Sequence, residues 1–198
     1  MLDRLEHIDQ ELFLWLNAPH TEWLDQIMWY ISTTWLWIPL YLFVAFYAYK
    51  KGQIKLLLFI LLGALISVGL SDLISVHGFK NVFMRYRPTH NTEIGHLVKT
   101  VTKPSGEIYL GGLYGFVSSH AANMAALSVF SITTFIQFSK KWLWLLLWAA
   151  VIMYSRIYLG VHYPADIFVG ALLGVVIGLG VNRLLIKLNY FKDVQTIK

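Results

Sequence analysis

The sequence predicts an all-α integral-membrane bundle of about five transmembrane helices, preceded by an N-terminal interfacial amphipathic helix. Three observations lead there. Of the 198 residues, 57% are hydrophobic and 14% charged, too apolar for a soluble globule of this size and suited to a surface that meets lipid. Long apolar stretches recur, each near the roughly twenty residues a helix needs to cross a bilayer. Eight tryptophans and eleven tyrosines fit the aromatic belts of membrane interfaces. The chain, 1–198, reads as a single domain.

The opening MLDRLEHIDQELFLWL carries acids early and lacks a continuous apolar core ending in small residues, so it is not a secretory signal. Leu5, Ile8, Leu12 and Trp15 or Leu16 fall at helical spacing, with Asp3, Gln10 and Glu11 elsewhere. This predicts an interfacial helix over residues 1–20, ended by Pro19. Spans are expected over residues 27–49, 56–75, 116–138, 142–161 and 167–185. Ser32, Thr33, Thr34 and Pro39 interrupt the first, which leaves a shorter span after a second interfacial turn as the other reading. Five spans put Lys50, Lys51 and Lys55, then Lys140 and Lys141, then Arg183, Lys187, Lys192 and Lys198 on one side. The positive-inside rule makes that side cytoplasmic and the N-terminus external.

The outer face then holds a long connection over 76–115 and a short one around His162 to Asp166. The long one is basic, with Lys80, Arg85, Arg87, Lys99 and Lys103, against the positive-inside tendency. Within it TVTKPSGEIYLGG predicts a small hairpin. Gly170, Gly174 and Gly178, four apart, let a neighbouring helix approach closely. The absence of cysteine excludes disulfides and thiolate metal sites. The net charge of +5 is spread between apolar spans, which favours anionic head groups or phosphorylated substrates over nucleic acid.

Three polar clusters sit at outer ends of spans: Lys80, Arg85, Arg87 and Pro88; Ser118, Ser119 and His120; and Ser155, Arg156, His162 and Asp166. Lys80, Arg87 and Arg156 supply cations, and an arginine fork suits phosphate oxygens. Ser118 and Ser119 open a helix, where free N–H groups favour an anion. Asp166, four residues beyond His162, can hold one imidazole nitrogen and leave the other as base or nucleophile. His120 is available as a general acid. These are the parts of a phosphoryl-transfer site. Plainer readings stand beside this one. Lys80 and Arg87 alone suit head-group anchors, and His7, His20, His77, His90 and His96 suit interfacial residues. His162 and Asp166 alone suit a hydrogen-bonded pair or two metal ligands, although no third and fourth ligand has believable spacing. Arg156 fits a plain reading least, because a buried cation needs an anion.

The spacing resembles the three-part signature of the phosphatidic acid phosphatase type 2 superfamily: Lys80, six residues, Arg87-Pro88; Ser118-Ser119-His120; and Ser155-Arg156, five residues, His162, three residues, Asp166. The second part departs, reading Val117-Ser118-Ser119-His120 where the family has Pro-Ser-Gly-His; the Pro-Ser-Gly at 104–106 is followed by Glu107 and lacks the histidine. The resemblance spans about residues 50–185. It implies a metal-independent and cofactor-free lipid phosphatase. His162 would form a phosphohistidine, Asp166 would hold its far nitrogen, and His120 would serve as acid and then base. Lys80, Arg87, Arg156, Ser118 and Ser119 would bind phosphate. The expected substrate is a membrane lipid phosphate or diphosphate: undecaprenyl diphosphate, phosphatidylglycerophosphate, phosphatidic acid or lipid A 1-phosphate. The expected setting is the outer face of a bacterial cytoplasmic membrane, with the bilayer and a lipid phosphate as partners and no obligate protein partner. A soluble phosphate ester, phosphoryl transfer to another acceptor, or non-catalytic lipid-phosphate binding or transport are the alternatives. Arg87→Ala is expected to cost more than Arg85→Ala.

Overall fold

Helices account for the regular structure in the computed structural model, which describes residues 2–188 and 191–194; Met1 and Lys198 lie outside the described residues. They are α1 (Leu2–Asn17), α2 (Glu22–Ile31), α3 (Ile38–Leu73), α4 (Ser119–Phe135), α5 (Trp144–Tyr158) and α6 (Pro164–Lys187). Their order is that of the expected apolar stretches, with one correction at the start. The stretch 27–49 is not continuous. Helix α2 ends at Ile31, Ser32 caps it, and a single 3-10 turn at Trp35–Trp37 leads into α3, whose Pro39 sits in the first turn where a missing N–H costs nothing.

Helix α3 is two helices in one. Gly52 and Gln53 leave helical geometry, at φ −135° and φ +49°, directly after Lys50 and Lys51. By length and hydropathy alone, two described helical runs are long and apolar enough to cross a membrane: 35–83, which contains this break, and 164–187. Beyond Leu73 the second arm continues as a π-helical segment, Ile74–Lys80, and a last turn, Asn81–Phe83. Lys80 therefore rides on a helix end, whereas the sequence placed it in a loop.

Helix α4 is central and packs against α3, α5 and α6. Its contact with α6 is close because Gly170, Gly174 and Gly178 face the α4 backbone: a β-carbon at Gly174 would stand 2.2 Å from the Ala122 carbonyl oxygen. Gly63 makes the matching space on α3, where a β-carbon would fall 1.9 Å from Phe130 Cζ. Phe59, Phe130, Phe135, Trp142 and Trp148 fill the core between these helices. Lys55 pairs with Asp193 at 2.8 Å and Gln137 donates to the Val194 carbonyl, so the basic turns gather at one end of the bundle.

At the opposite end lie the long connection and helices α1 and α2. Leu5, Ile8, Leu12 and Trp15 of α1 point outward and are exposed, whereas Asp9, Gln10, Phe13 and Asn17 turn toward the protein. Asn17 accepts from Lys99 N at 2.8 Å and donates to the Tyr158 carbonyl at 2.8 Å, which ties α1 to the long connection and to the end of α5. The expected hairpin is reduced to one antiparallel bridge, Thr102 with Ile108, closed by the Lys103 N to Glu107 O bond.

Candidate active site

Gly160, at φ +75°, ends α5 in a left-handed turn that a side chain would strain. The chain then reverses through His162 and re-enters a helix at Pro164, so Asp166 falls in the first turn of α6 facing back toward His162. Asp166 Oδ2 lies 3.3 Å from His162 Nδ1 and accepts from Tyr163 N at 3.1 Å. His162 and Asp166 are both buried. On the far side of the ring Arg87 Nη1 is 3.2 Å from Nε2. A guanidinium only donates, so Nε2 accepts and the ring proton sits on Nδ1, donated to Asp166. Burial, with Arg87, Arg156 and Lys80 nearby, holds this imidazole well below its ordinary pKa, so Nε2 stays unprotonated and its lone pair meets only Arg87.

Arg87 is fixed by donating from Nε to the Tyr114 carbonyl at 3.2 Å and from Nη1 to the Val161 carbonyl at 3.1 Å. Arg156, in the last turn of α5, donates to the hydroxyl of Ser32 and, at 2.8 Å, to the hydroxyl of Tyr109; its buried Nε has no partner among the described residues. Lys80 Nζ donates to Ser119 Oγ at 2.7 Å, and the same hydroxyl bonds Ser75 Oγ at 2.7 Å. Among the described residues no carboxylate forms an ion pair with Lys80, Arg87 or Arg156. Buried Arg87 and Arg156, with half-buried Lys80, set an electropositive surround about His162 that suits an anion.

The structure thus brings Lys80, Arg87, Arg156, His120 and His162 within reach of one another's charges. Ser119 joins them through Lys80. Ser118 stands apart in role: its hydroxyl caps α4 by accepting from Ala121 N, and its own N–H donates to the Asp166 carbonyl. Among the described residues, no group of three or more His, Cys, Asp or Glu could hold a metal ion.

Sequence reasoning missed several participants. Arg85 donates to Asp166 Oδ1 at 3.0 Å and to Asp9 Oδ2 at 2.9 Å, with its guanidinium 4.1 Å from the Tyr163 ring centre. Gly115 leaves room for the dyad: a β-carbon there would be 2.9 Å from Asp166 Oδ2 and 3.5 Å from His162 Nδ1. Ser75, Ser32 and Tyr109 carried no motif. For Arg85 a signal existed, a second arginine two residues before Arg87, but spacing alone could not say which one meets the substrate.

The sequence model of the PAP2 superfamily matches residues 56–190, a range containing all three polar clusters. A lipid A 4′-phosphatase of Porphyromonas gingivalis is 34% identical over 178 residues, covering 89% of this chain and 72% of the relative. A lipid A 4′-phosphatase of Bacteroides thetaiotaomicron is 31% identical over 177 residues, covering 88% of this chain and 75% of that one. The crystal structure of a transmembrane PAP2-type phosphatidylglycerolphosphate phosphatase from Bacillus subtilis shares the fold, with a TM-score of 0.69 at 19% identity over 95% of this chain and 89% of that one.

Proposed function

This chain belongs to the PAP2 superfamily, and from that premise we propose that it hydrolyses a membrane lipid phosphate through a phosphohistidine on His162. The observation that carries the reading is the His162 geometry: Nδ1 held by Asp166, Nε2 met only by Arg87, and around it three cations that no carboxylate pairs with among the described residues. The Nε2 lone pair attacks phosphorus while the phosphorus–oxygen ester bond breaks and its electrons pass to the leaving oxygen. His120 gives that oxygen a proton; the incoming phosphate offsets the surrounding cations and lets His120 carry it. Asp166 stabilises the positive charge on the phosphorylated ring. Water then attacks phosphorus, His120 takes the water's proton, and the phosphorus–nitrogen bond breaks to restore the imidazole. Lys80, Arg87, Arg156 and Ser119 bind the phosphoryl oxygens as charge develops, and Ser118 holds the start of α4 in register with Asp166. No step requires a metal or cofactor.

The chain is an integral membrane protein acting on lipid, and the relatives active on lipid A favour a phosphorylated glycolipid head group. The two arms of α3 with α4, α5 and α6 make five crossings of a single domain, with α1 lying in the interface on its exposed apolar stripe. The site then opens at the outer face of a bacterial cytoplasmic membrane, where a lipid tail stays in the bilayer while its head group enters.

The test is release of inorganic phosphate by detergent-solubilised protein with excess chelator. The panel holds lipid A phosphates, undecaprenyl diphosphate, phosphatidylglycerophosphate, phosphatidic acid and a soluble sugar phosphate. Wild type is run beside His162→Ala. Chelator-resistant release from a lipid, lost in the variant and accompanied by an acid-labile phosphoprotein in wild type, is expected. Release that needs a divalent ion, or that survives in His162→Ala, would overturn the mechanism.

A further inference from the structure

We propose that Asp9, on the N-terminal helix α1, is a positioning residue that acts through Arg85 on the Asp166–His162 pair. The proposal rests on His162 being the nucleophile. Asp9 is far in sequence from every motif, yet its side chain is only 11% exposed and both of its oxygens are engaged. Oδ2 accepts from Arg85 Nη2 at 2.9 Å, and Oδ1 accepts from Ala165 N at 2.9 Å. The other arm of the same guanidinium donates to Asp166 Oδ1 at 3.0 Å, and Asp166 Oδ2 faces His162 Nδ1 at 3.3 Å. A continuous line of charge-assisted hydrogen bonds therefore runs from α1 to the reacting ring.

Asp9 does two separable things. By accepting from Ala165 N it satisfies one of the donors that the first turn of α6 leaves without an intrahelical partner. That needs an acceptor and no charge, and asparagine caps a helix as well as aspartate does. By pairing with Arg85 it shares a cation that Asp166 would otherwise neutralise with only the more distant Glu6 beside it. That needs the negative charge. The groups facing the line are Glu6, whose carboxylate is 4.0 Å from Arg85, and Tyr163 under the guanidinium on one side. Arg87, Arg156, Lys80 and His120 lie on the side of His162. With Asp9 neutral, Asp166 is drawn onto Arg85 and gives less support to the charge that His162 develops as it attacks. The loss falls on the chemical step and spares substrate binding, which is the work of other residues.

The experiment compares Asp9→Asn, Asp9→Ala and Asp9→Glu with wild type and His162→Ala, as full chains in detergent. Steady-state kinetics on lipid A phosphate are read beside thermal unfolding and the downfield proton resonance of the His162–Asp166 hydrogen bond. Asp9→Asn is expected to lower kcat about tenfold, in the range that small displacements of a reacting group cost. Its KM should stay within about twofold, its unfolding temperature should not move, and the downfield resonance should shift. Asp9→Glu should recover part of kcat. Wild-type kcat and an unmoved resonance in Asp9→Asn, with loss of stability confined to Asp9→Ala, would make Asp9 a helix cap and overturn the proposal. Arg85→Lys carries the same test should Asp9→Asn fail to fold, because lysine keeps the charge but lacks the planar fork that spans Asp9 and Asp166. Full turnover in His162→Ala would instead sink the nucleophile assignment, an outcome distinct from any result at Asp9.

Discussion

Gly115 shows how little space the His162–Asp166 pair has. Its missing β-carbon would stand 2.9 Å from Asp166 Oδ2, 3.2 Å from Arg87 Cγ and 3.5 Å from His162 Nδ1. All three neighbours are buried and hydrogen-bonded, so none can swing aside at low cost. Gly115→Ala is therefore expected to push the carboxylate from the ring and lower kcat about a hundredfold, the usual consequence of roughly 1 Å of misplacement. Phosphate release measured on protein that still elutes as a monodisperse peak checks this, and wild-type turnover would show that the dyad has more room than these distances allow. At this scale the sequence was legible where chemistry needs fixed spacing along one segment: His162 with Asp166, Lys80 with Arg87, Ser119 with His120. It was silent on residues chosen by contacts across the chain. Nothing local to Gly115, Ser75 or Asp9 marks them, and spacing along the chain does not show that Arg85 donates to the carboxylate behind His162.

Secondary-structure elements set the distances between these side chains. Ser75 and Lys80 both reach Ser119 Oγ. Five residues apart on an α-helix they would point about 140° away from each other, given 3.6 residues per turn. The π segment Ile74–Lys80 has a wider turn and brings both to one side. Apolar periodicity in the sequence does not show such widening, so it places Lys80 in the connection after the span and not on a helix end. The glycine stripe of α6 was legible, and its consequence can be tested against a built-in control. Gly174→Ala puts a methyl 2.2 Å from the Ala122 carbonyl oxygen and 2.7 Å from Ala125 Cβ, so α4 and α6 must separate. Overpacking of this kind costs about 1–3 kcal/mol. The same shift moves His120 on α4 away from His162 ahead of α6. Gly180→Ala, on the same helix with nothing within 4 Å, should be neutral or slightly stabilising, since alanine is the better helix former. Thermal unfolding and phosphate release of the two variants should diverge; equal behaviour would mean the α4–α6 contact is looser than it looks.

For the whole molecule, the two ends of the bundle carry different side chains, and the positive-inside rule turns that difference into an expected orientation in a membrane. One end gathers Lys50, Lys51, Lys140 and Lys141 with the Lys55–Asp193 pair; the other holds the site beneath α1, α2 and the long connection. The positive-inside rule counts the first end as cytoplasmic, and the basic residues at the second are otherwise engaged: Arg85 by carboxylates, Lys103 by Glu107 and Lys99 by the Ala18 carbonyl, while Lys80, Arg87 and Arg156 gather about His162. Since the chain has no cysteine, single cysteines report position without a modified background. Ser105 lies exposed in the turn beside Tyr109, and Lys141 lies exposed in the turn between α4 and α5. In intact bacterial cells with a permeabilised outer membrane, Ser105→Cys should react with a membrane-impermeant maleimide, whereas Lys141→Cys should react only after lysis. Labelling of both from outside would mean an even number of crossings between them. The opposite pattern would place the site in the cytoplasm and change the class of substrate, because a lipid phosphate would then have to be presented from the inner leaflet. Retained phosphate release in both variants ties the result to the folded enzyme, and orientation then follows from which thiol is reached first.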